Sequence, residues 1–284
     1  MKFWVVAKDG LLGRELCHYF AENKIRYAGS SHFDADIMDI EALRKFCKAH
    51  TPTHIINCAA YVNVDEAEGL GKRLAFDLNV TGTKNLVTVS REFDARLLHI
   101  GTDYVFDGNK IDDYFETDQT NPINEYGRTK LLGEIEVLKY DKGLCLRTAS
   151  IYGSGKPGII SGILDMLKSR EEGRHISDQI SSPTYTKDIA EALFAIKDEK
   201  GVFHFTNSGF VSRYELVLYI WQLAKELGIE MKCKKVTPVT QKESKRAAIR
   251  PVRSVLSHKK IEPYLKKPIC TWEEALREYI QTLC

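Results

Sequence analysis

Phe3-Trp4-Val5-Val6-Ala7-Lys8-Asp9-Gly10-Leu11-Leu12-Gly13-Arg14-Glu15-Leu16 joins an apolar run to an amphipathic one through a turn that carries Gly10 and Gly13. The run Phe3 to Ala7 is far too short to cross a bilayer and is followed at once by Lys8-Asp9, so it reads as a buried strand. Leu11 to Glu22 has apolar residues at helical spacing. The same alternation continues outward from this unit. Ile25 to Ala28, His54 to Asn57, Leu97 to Gly101 and Leu144 to Arg147 are predicted strands, and Ile40 to Ala49, Ala75 to Glu92 and Glu125 to Leu138 are predicted helices. Parallel strands need crossover connections, so the pattern predicts an α/β fold with a doubly wound parallel sheet.

After Gly153 the pattern loosens, with Gly155, Pro157, Gly158 and Gly162 close together. Helices are expected near Ile163 to Lys168 and Lys187 to Ile196, then a strand over Val202 to Thr206. An amphipathic helix from Arg213 to Leu227 and a last helix over Trp272 to Leu283 follow. This divides the chain into a core, 1–152, and a mixed region, 153–284, that completes the sheet and adds a small C-terminal lobe.

With 284 residues, 43% hydrophobic and 28% charged, the chain can bury one large core plus a smaller one. Lys+Arg 41 against Asp+Glu 39 leaves a formal charge of +2, and no basic arm is present. That composition argues against nucleic acid as a partner, and the lack of a long apolar run argues against a membrane. The seven cysteines, Cys17, Cys47, Cys58, Cys145, Cys233, Cys270 and Cys284, form no CxxC pair, and an odd count suits reduced thiols. Cys58 and Cys145 read as small core residues. No export signal is visible, and the cytoplasm is the expected compartment.

In a Rossmann-like sheet the first strand–helix turn is where a dinucleotide pyrophosphate binds, so the backbone of Gly10, Leu11, Leu12 and Gly13 is the expected phosphate cradle. Ala7 is harmless there at negative φ and strained at positive φ. After the second strand an acid would bind the ribose 2′-hydroxyl, but Tyr27-Ala28-Gly29-Ser30-Ser31-His32 offers none. Ser30 and its neighbours suit a 2′-phosphate, which favours NADPH over NADH unless Asp34 or Asp36 curls back. Asp39-Ile40 has the look of an adenine contact. Ala59 and Ala60, with Tyr61, are small-residue neighbours for a cofactor lying against the sheet.

Tyr126-Gly127-Arg128-Thr129-Lys130 lies in a helical segment just after Asn121-Pro122, so Tyr126 and Lys130 project from one face. Such a pair means little alone. Thr102 gives it meaning, standing at the C-terminal end of the strand in Leu98-His99-Ile100-Gly101-Thr102-Asp103-Tyr104-Val105-Phe106, the edge where such sheets bind ligands. Reducing a ketone by hydride transfer requires a proton for the developing alkoxide. A tyrosine of ordinary pKa, about 10, donates it best when a cation stabilises its phenolate. Lys130 is the expected cation and ribose contact, and the Thr102 hydroxyl would polarise the carbonyl. Asn79, in Leu78-Asn79-Val80-Thr81-Gly82, fits either a water relay to Lys130 or a simple cap at the start of a helix.

These segments resemble the extended short-chain dehydrogenases/reductases, and within them the dTDP-4-dehydrorhamnose reductases, nearly end to end. The matching pieces are Asn57 to Tyr61 with Val64 to Glu68, Gly101 to Gly108, Glu116-Thr117-Asp118 through Pro122, and Tyr126 to Glu134. Arg147-Thr148, Asp178-Gln179, Pro183-Thr184, Arg250-Pro251 and Arg253-Ser254 complete them. The resemblance implies NAD(P)H-dependent reduction of a nucleotide-linked 4-keto-6-deoxy sugar, dTDP-4-dehydro-L-rhamnose to dTDP-L-rhamnose, with Thr102, Tyr126 and Lys130 as the triad. It also implies a substrate site formed by Thr102, Asp103, Tyr104, Val105, Tyr126 and Ser150, with Arg250 and Arg253 chelating the diphosphate from the C-terminal sugar-nucleotide lobe. Ala7 replaces the usual first glycine, Gly101 a frequent serine, and Ser150 a common aromatic residue, which opens the site to related keto-sugars. Some members bind a divalent metal at a dimer contact. Glu15 matches one ligand position, but no metal is predicted, and a homodimer is the expected assembly.

Two other readings stay open: an NAD-retaining epimerase or dehydratase of the same superfamily, and a non-catalytic regulatory subunit of the same fold. The former would turn over with no net cofactor oxidation. The intact Thr102, Tyr126 and Lys130 set argues against the latter.

Overall fold

The computed structural model describes residues 1–155 and 158–283, so Pro157 and Cys284 lie outside the described residues. β1 (Phe3–Val6) lies between β2 (Tyr27–Ser30) and β3 (His54–Asn57). Beyond β3 come β4 (Arg96–Ile100), β5 (Gly143–Arg147) and the late strand Gly201–His204, completing six parallel strands. Val6 stands beside both Ser30 and Asn57, Asn57 beside His99, and Ile100 beside Leu146. The C-terminal strand ends therefore share one edge. The chain leaves β1 in opposite directions towards β2 and β3, which opens a crevice at that edge.

Both faces of the sheet are covered, as a parallel sheet requires. Phe3 and Val5 pack with Leu12, Leu16 and Phe20 of α1 (Leu11–Glu22) and with Ile189 and Leu193 of helix Thr186–Ala195. Trp4 and Val6 face the other way, onto Leu43 of α2 (Ile40–His50), Leu86 and Val89 of helix Thr83–Glu92, and Val137 of helix Glu125–Leu138. The two-residue alternation of β1 thus supplies both cores.

Two expected elements are placed differently. Strand two begins at Tyr27, because Phe3 N–H donates to Arg26 O and pairs Phe3 with Tyr27; Ile25 instead packs against the first core. The helix expected over Ala75 to Glu92 is interrupted by a π-helical turn, Asp77–Gly82, between Lys72–Phe76 and Thr83–Glu92. Helices Ile159–Ser169, Arg213–Glu226 and Trp272–Gln281 form a third buried cluster, with Ile160, Leu167, Ile220, Trp272 and Leu276 at its centre. A parallel strand pair, Glu172–Ile176 with Lys235–Val239, lies beside it. No helix among the described residues is long and apolar enough to cross a membrane.

Candidate active site

The glycine turn sits at the mouth of the crevice. Gly10 caps α1 without a side chain, and Gly10 N–H donates to Ala7 O at 2.9 Å. A Cβ on Gly13 would stand 2.2 Å from Ala7 O, and one on Gly10 would stand 3.2 Å from it. The backbone is therefore drawn as tight as glycine permits, and the first N–H groups of α1 have no side-chain cap to compete with an anion. Ala7 has φ of +60°, the strained alternative for a residue with a Cβ.

At the end of β2 the side chains are arranged differently from the expectation. Ser30 is fully buried and its Oγ accepts from Trp4 Nε1 at 2.9 Å, so its hydroxyl serves the core. Asp34 curls back instead. It accepts from Ser31 N–H at 2.8 Å, from Ser31 Oγ at 2.9 Å and from Lys8 Nζ at 2.9 Å. The Ser31 amide, followed by Lys8 and the Ser31 hydroxyl, holds its carboxyl well below the usual range. An acid and a cation thus stand together at this edge. Asp39 caps α2, accepting from Glu41 N–H at 3.0 Å and Ala42 N–H at 3.1 Å, with Ile40 half-buried behind it.

Across the crevice, Ala59, Ala60 and Tyr61 follow β3, all half-buried. Asn79 fixes this segment: its Oδ1 accepts from Tyr61 N–H at 2.8 Å, and its Nδ2 donates to Tyr61 O at 3.2 Å and Thr129 Oγ1 at 3.0 Å. Asn79 lies inside the π-turn and not at a helix start. Helix Glu125–Leu138 comes so close there that a Cβ on Gly133 would be 2.2 Å from Asn79 O. Single π-turns recur at functional sites, where they re-aim a side chain.

Thr102 lies two residues beyond β4 and caps the short turn Asp103–Val105, its Oγ1 accepting from Tyr104 N–H at 3.2 Å. The same hydroxyl donates to Asp103 Oδ1 at 3.2 Å. Tyr126, half-buried, stands on the neighbouring helix: burial pushes its phenol above the ordinary value, and the Thr102 hydroxyl works the other way. The Tyr104 ring packs edge-on against the Tyr126 ring at 5.8 Å between centroids. Lys130 is 3% exposed, and burial lowers its pKa to about 8. Its Nζ donates to Ile100 O at 2.6 Å and stands 3.3 Å from His99 Nε2.

Among the residues expected at the substrate, Asp103 is buried against Ser254 Oγ, and burial raises its carboxyl to about 7. Tyr104 Oη accepts from Gln179 Nε2 at 3.0 Å. Val105 is fully buried, its side chain in a small cluster with Phe106, Tyr114 and Leu256. Ser150 is held at φ of +43°, its Oγ 2.8 Å from Ser181 Oγ.

The two expected arginines are already engaged. Arg250 makes a two-pronged pair with Asp65, at 2.9 and 2.7 Å, and Arg253 pairs with Asp113 at 2.8 Å. Arg246, which with Lys242 and Lys245 makes up the basic run before Arg250, and Arg213, whose charge the sequence reading did not single out, take part in no salt bridge among the described residues. Burial lowers Arg213 to about 10, against the opposing influence of Tyr104, and the guanidinium groups of Arg246 and Arg250 add to the lowering. Arg213 is also the first residue of its helix, the end where a cation opposes the helix dipole.

A cavity of about 1180 Å³ is lined by Arg14, Glu15, Lys187, Glu191 and Glu278 among others, and none of Thr102, Tyr126 and Lys130 lines it. Glu15 stands in that wall. Among the described residues, no group of three or more His, Cys, Asp and Glu side chains is placed to hold a metal ion.

Comparison with known proteins agrees with this geometry. The family model described as RmlD substrate binding domain matches residues 1–284. The spore coat polysaccharide biosynthesis protein SpsK of Bacillus subtilis is 35% identical over 99% of this chain and 97% of its own. The dTDP-4-keto-6-deoxy-D-glucose reductase of Streptomyces niveus is 34% identical over 98% and 96%. A crystal structure of dTDP-4-dehydrorhamnose reductase from Bacillus anthracis in complex with NADP superimposes with a TM-score of 0.92 at 30% identity, covering 99% of both chains. This chain therefore belongs to the RmlD substrate binding domain family, that of the dTDP-4-dehydrorhamnose reductases.

Proposed function

We propose that this protein reduces the 4-keto group of a dTDP-linked 6-deoxy sugar with NADPH or NADH, converting dTDP-4-dehydro-L-rhamnose to dTDP-L-rhamnose. The observation that carries the reading is the gathering of Thr102, Tyr126 and the buried Lys130 at the C-terminal edge of the sheet, beside a glycine turn with uncapped helix N–H groups. The cradle that a Cβ on Gly13 would fill fits a pyrophosphate, with Gly10, Leu11, Leu12 and Gly13 as its walls. Asp39 and Ile40 lie at the adenosine end, and Ala59, Ala60, Tyr61 and Lys130 at the nicotinamide end. The cofactor, when bound, supplies the hydride.

The protein's own groups handle the proton and the orientation. Thr102 donates a hydrogen bond to the carbonyl oxygen, and Tyr126 gives its phenolic proton to the alkoxide that develops there. Burial keeps Tyr126 protonated until that base appears. Tyr104 and Ser150 border the sugar, and the Thr102 hydroxyl, which donates to Asp103 before substrate enters, turns its single proton to the carbonyl oxygen when substrate binds. For the diphosphate, Arg213 and Arg246 are two cations that make no salt bridge among the described residues, with Arg250 beside them. The enzyme works in the cytoplasm in this reading, where the free thiols of Cys17, Cys47, Cys58, Cys145, Cys233 and Cys270 persist, and as a homodimer. A panel of nucleotide-linked keto-sugars assayed by NADPH and NADH oxidation tests the substrate: the dTDP-linked 4-keto-6-deoxy sugar should give the highest kcat/KM. Equal rates with a UDP-linked sugar would refute the carrier, and no oxidation with any of them would refute the reaction.

A further inference from the structure

His99 has no part in the chemistry above, yet it stands fully buried on β4 between Asn57 of β3 and Lys130 of helix Glu125–Leu138. Asn57 Nδ2 lies 3.0 Å from His99 Nδ1, and Lys130 Nζ lies 3.3 Å from His99 Nε2. The orientation of the Asn57 amide is set from outside the trio. Ala59 N–H donates to Asn57 Oδ1 at 3.0 Å, and Asn57 Nδ2 also reaches Thr83 Oγ1 at 3.4 Å. With its oxygen committed to Ala59, Asn57 presents an N–H to Nδ1, which must then be the bare nitrogen. A neutral imidazole carries one N–H, so the proton sits on Nε2 and points at Lys130. Turning the amide over would set its NH₂ against Ala59 N–H, two donors facing each other in a buried place.

We propose that His99, oriented by Asn57, is a positioning residue that turns an Nε2–H towards Lys130 and so disfavours its ammonium form. The proposal rests on the reading that Lys130 serves Tyr126. An Nε2–H can donate to the lone pair of a neutral amine but opposes an ammonium, which has only donors. Ile100 O, at 2.6 Å, can accept from Nζ in either protonation state, and the titratable groups around Lys130 do little to offset the opposition. Glu134, on the same helix, is held two-pronged by Arg147, at 3.0 and 2.5 Å. Cys58 and Cys145 face it from beyond β3 and from β5 with thiols that burial keeps protonated. His99 itself is pushed well below the ordinary histidine value by burial and by Lys130, so it stays neutral and keeps its tautomer.

Two experiments test this. In ¹⁵N-labelled protein without cofactor, histidine-ring correlation spectra, assigned with His99→Gln, should show His99 as the neutral Nε2–H tautomer from about pH 6 to pH 9. Its shifts should move as Lys130 titrates near about 8. An Nδ1–H tautomer or an imidazolium at neutral pH would overturn the proposal. In the holoenzyme, Asn57→Asp keeps an acceptor for Ala59 N–H but draws the ring proton to Nδ1, turning the Nε2 lone pair to Lys130. The alkaline limb of kcat should rise by about one pH unit. A fall in kcat with the limb unmoved would mark a merely structural role and overturn it too. The spectra do not depend on turnover, so a protein that reduces no sugar would refute the proposed reaction while leaving the tautomer question answerable.

Discussion

Gly13 approaches the carbonyl oxygen of Ala7 so closely that a Cβ at position 13 would stand 2.2 Å away, while Ala7 itself is held at φ of +60°. The turn that joins β1 to α1 therefore carries strain at one end and has no room at the other. A left-handed non-glycine residue costs on the order of 1–3 kcal/mol, partly offset by the extra freedom that glycine gives the unfolded chain. Ala7→Gly is expected to stabilise the protein by about 1 kcal/mol in thermal or denaturant unfolding. A loss of stability would show that the turn is not strained. Gly13→Ala should cost about 2 kcal/mol or more and weaken cofactor binding.

Tyr126→Phe removes the proton donor and little else, because the ring still packs against Tyr104. Turnover should fall by roughly 10²- to 10⁴-fold, with cofactor affinity retained in a fluorescence titration. Unchanged turnover would take Tyr126 out of the proton transfer.

Arg213 and Arg250 should separate under substitution. Arg213→Ala is expected to raise KM for the dTDP-sugar by about tenfold, the effect of one charged hydrogen bond, with smaller change in kcat. Arg250→Ala leaves Asp65 without its two-pronged partner and should lower the melting temperature as well. Equal KM effects without a stability difference would contradict this division.

We propose that Asp34 sets the cofactor preference, since it both offers an acid for a ribose hydroxyl and occupies Lys8. Asp34→Ala should free Lys8 for a 2′-phosphate and raise the NADPH to NADH ratio of kcat/KM by about tenfold. A ratio that does not move would place the ribose elsewhere.

The sheet was legible in the sequence because β1, β3, β4 and β5 are short apolar runs with turn residues between them, and burial on both faces leaves that pattern unmixed. The shift of β2 to Tyr27–Ser30 was not, because register is fixed by pairing with Phe3 and not by local composition. The π-turn was equally hidden: its cause is Asn79 reaching the backbone of Tyr61, a contact between segments. The engagement of the Ser30 hydroxyl was hidden too, because its partner, Trp4, lies on another strand. Arg213 did leave a signal, a cation at the first position of a helix where the dipole disfavours it, but an amphipathic helix draws the eye to its apolar face. Spacing could bring Tyr126 and Lys130 onto one helix face; only the fold could bring Thr102 to Tyr126 and His99 to Lys130.

Incubation with dTDP-4-dehydro-L-rhamnose and a nicotinamide cofactor deuterated at its transferable position tests the reductase assignment most directly. One equivalent of cofactor should be oxidised per sugar reduced, and the product should carry one deuterium at C4. Product formed without net cofactor oxidation, or without deuterium at C4, would contradict it.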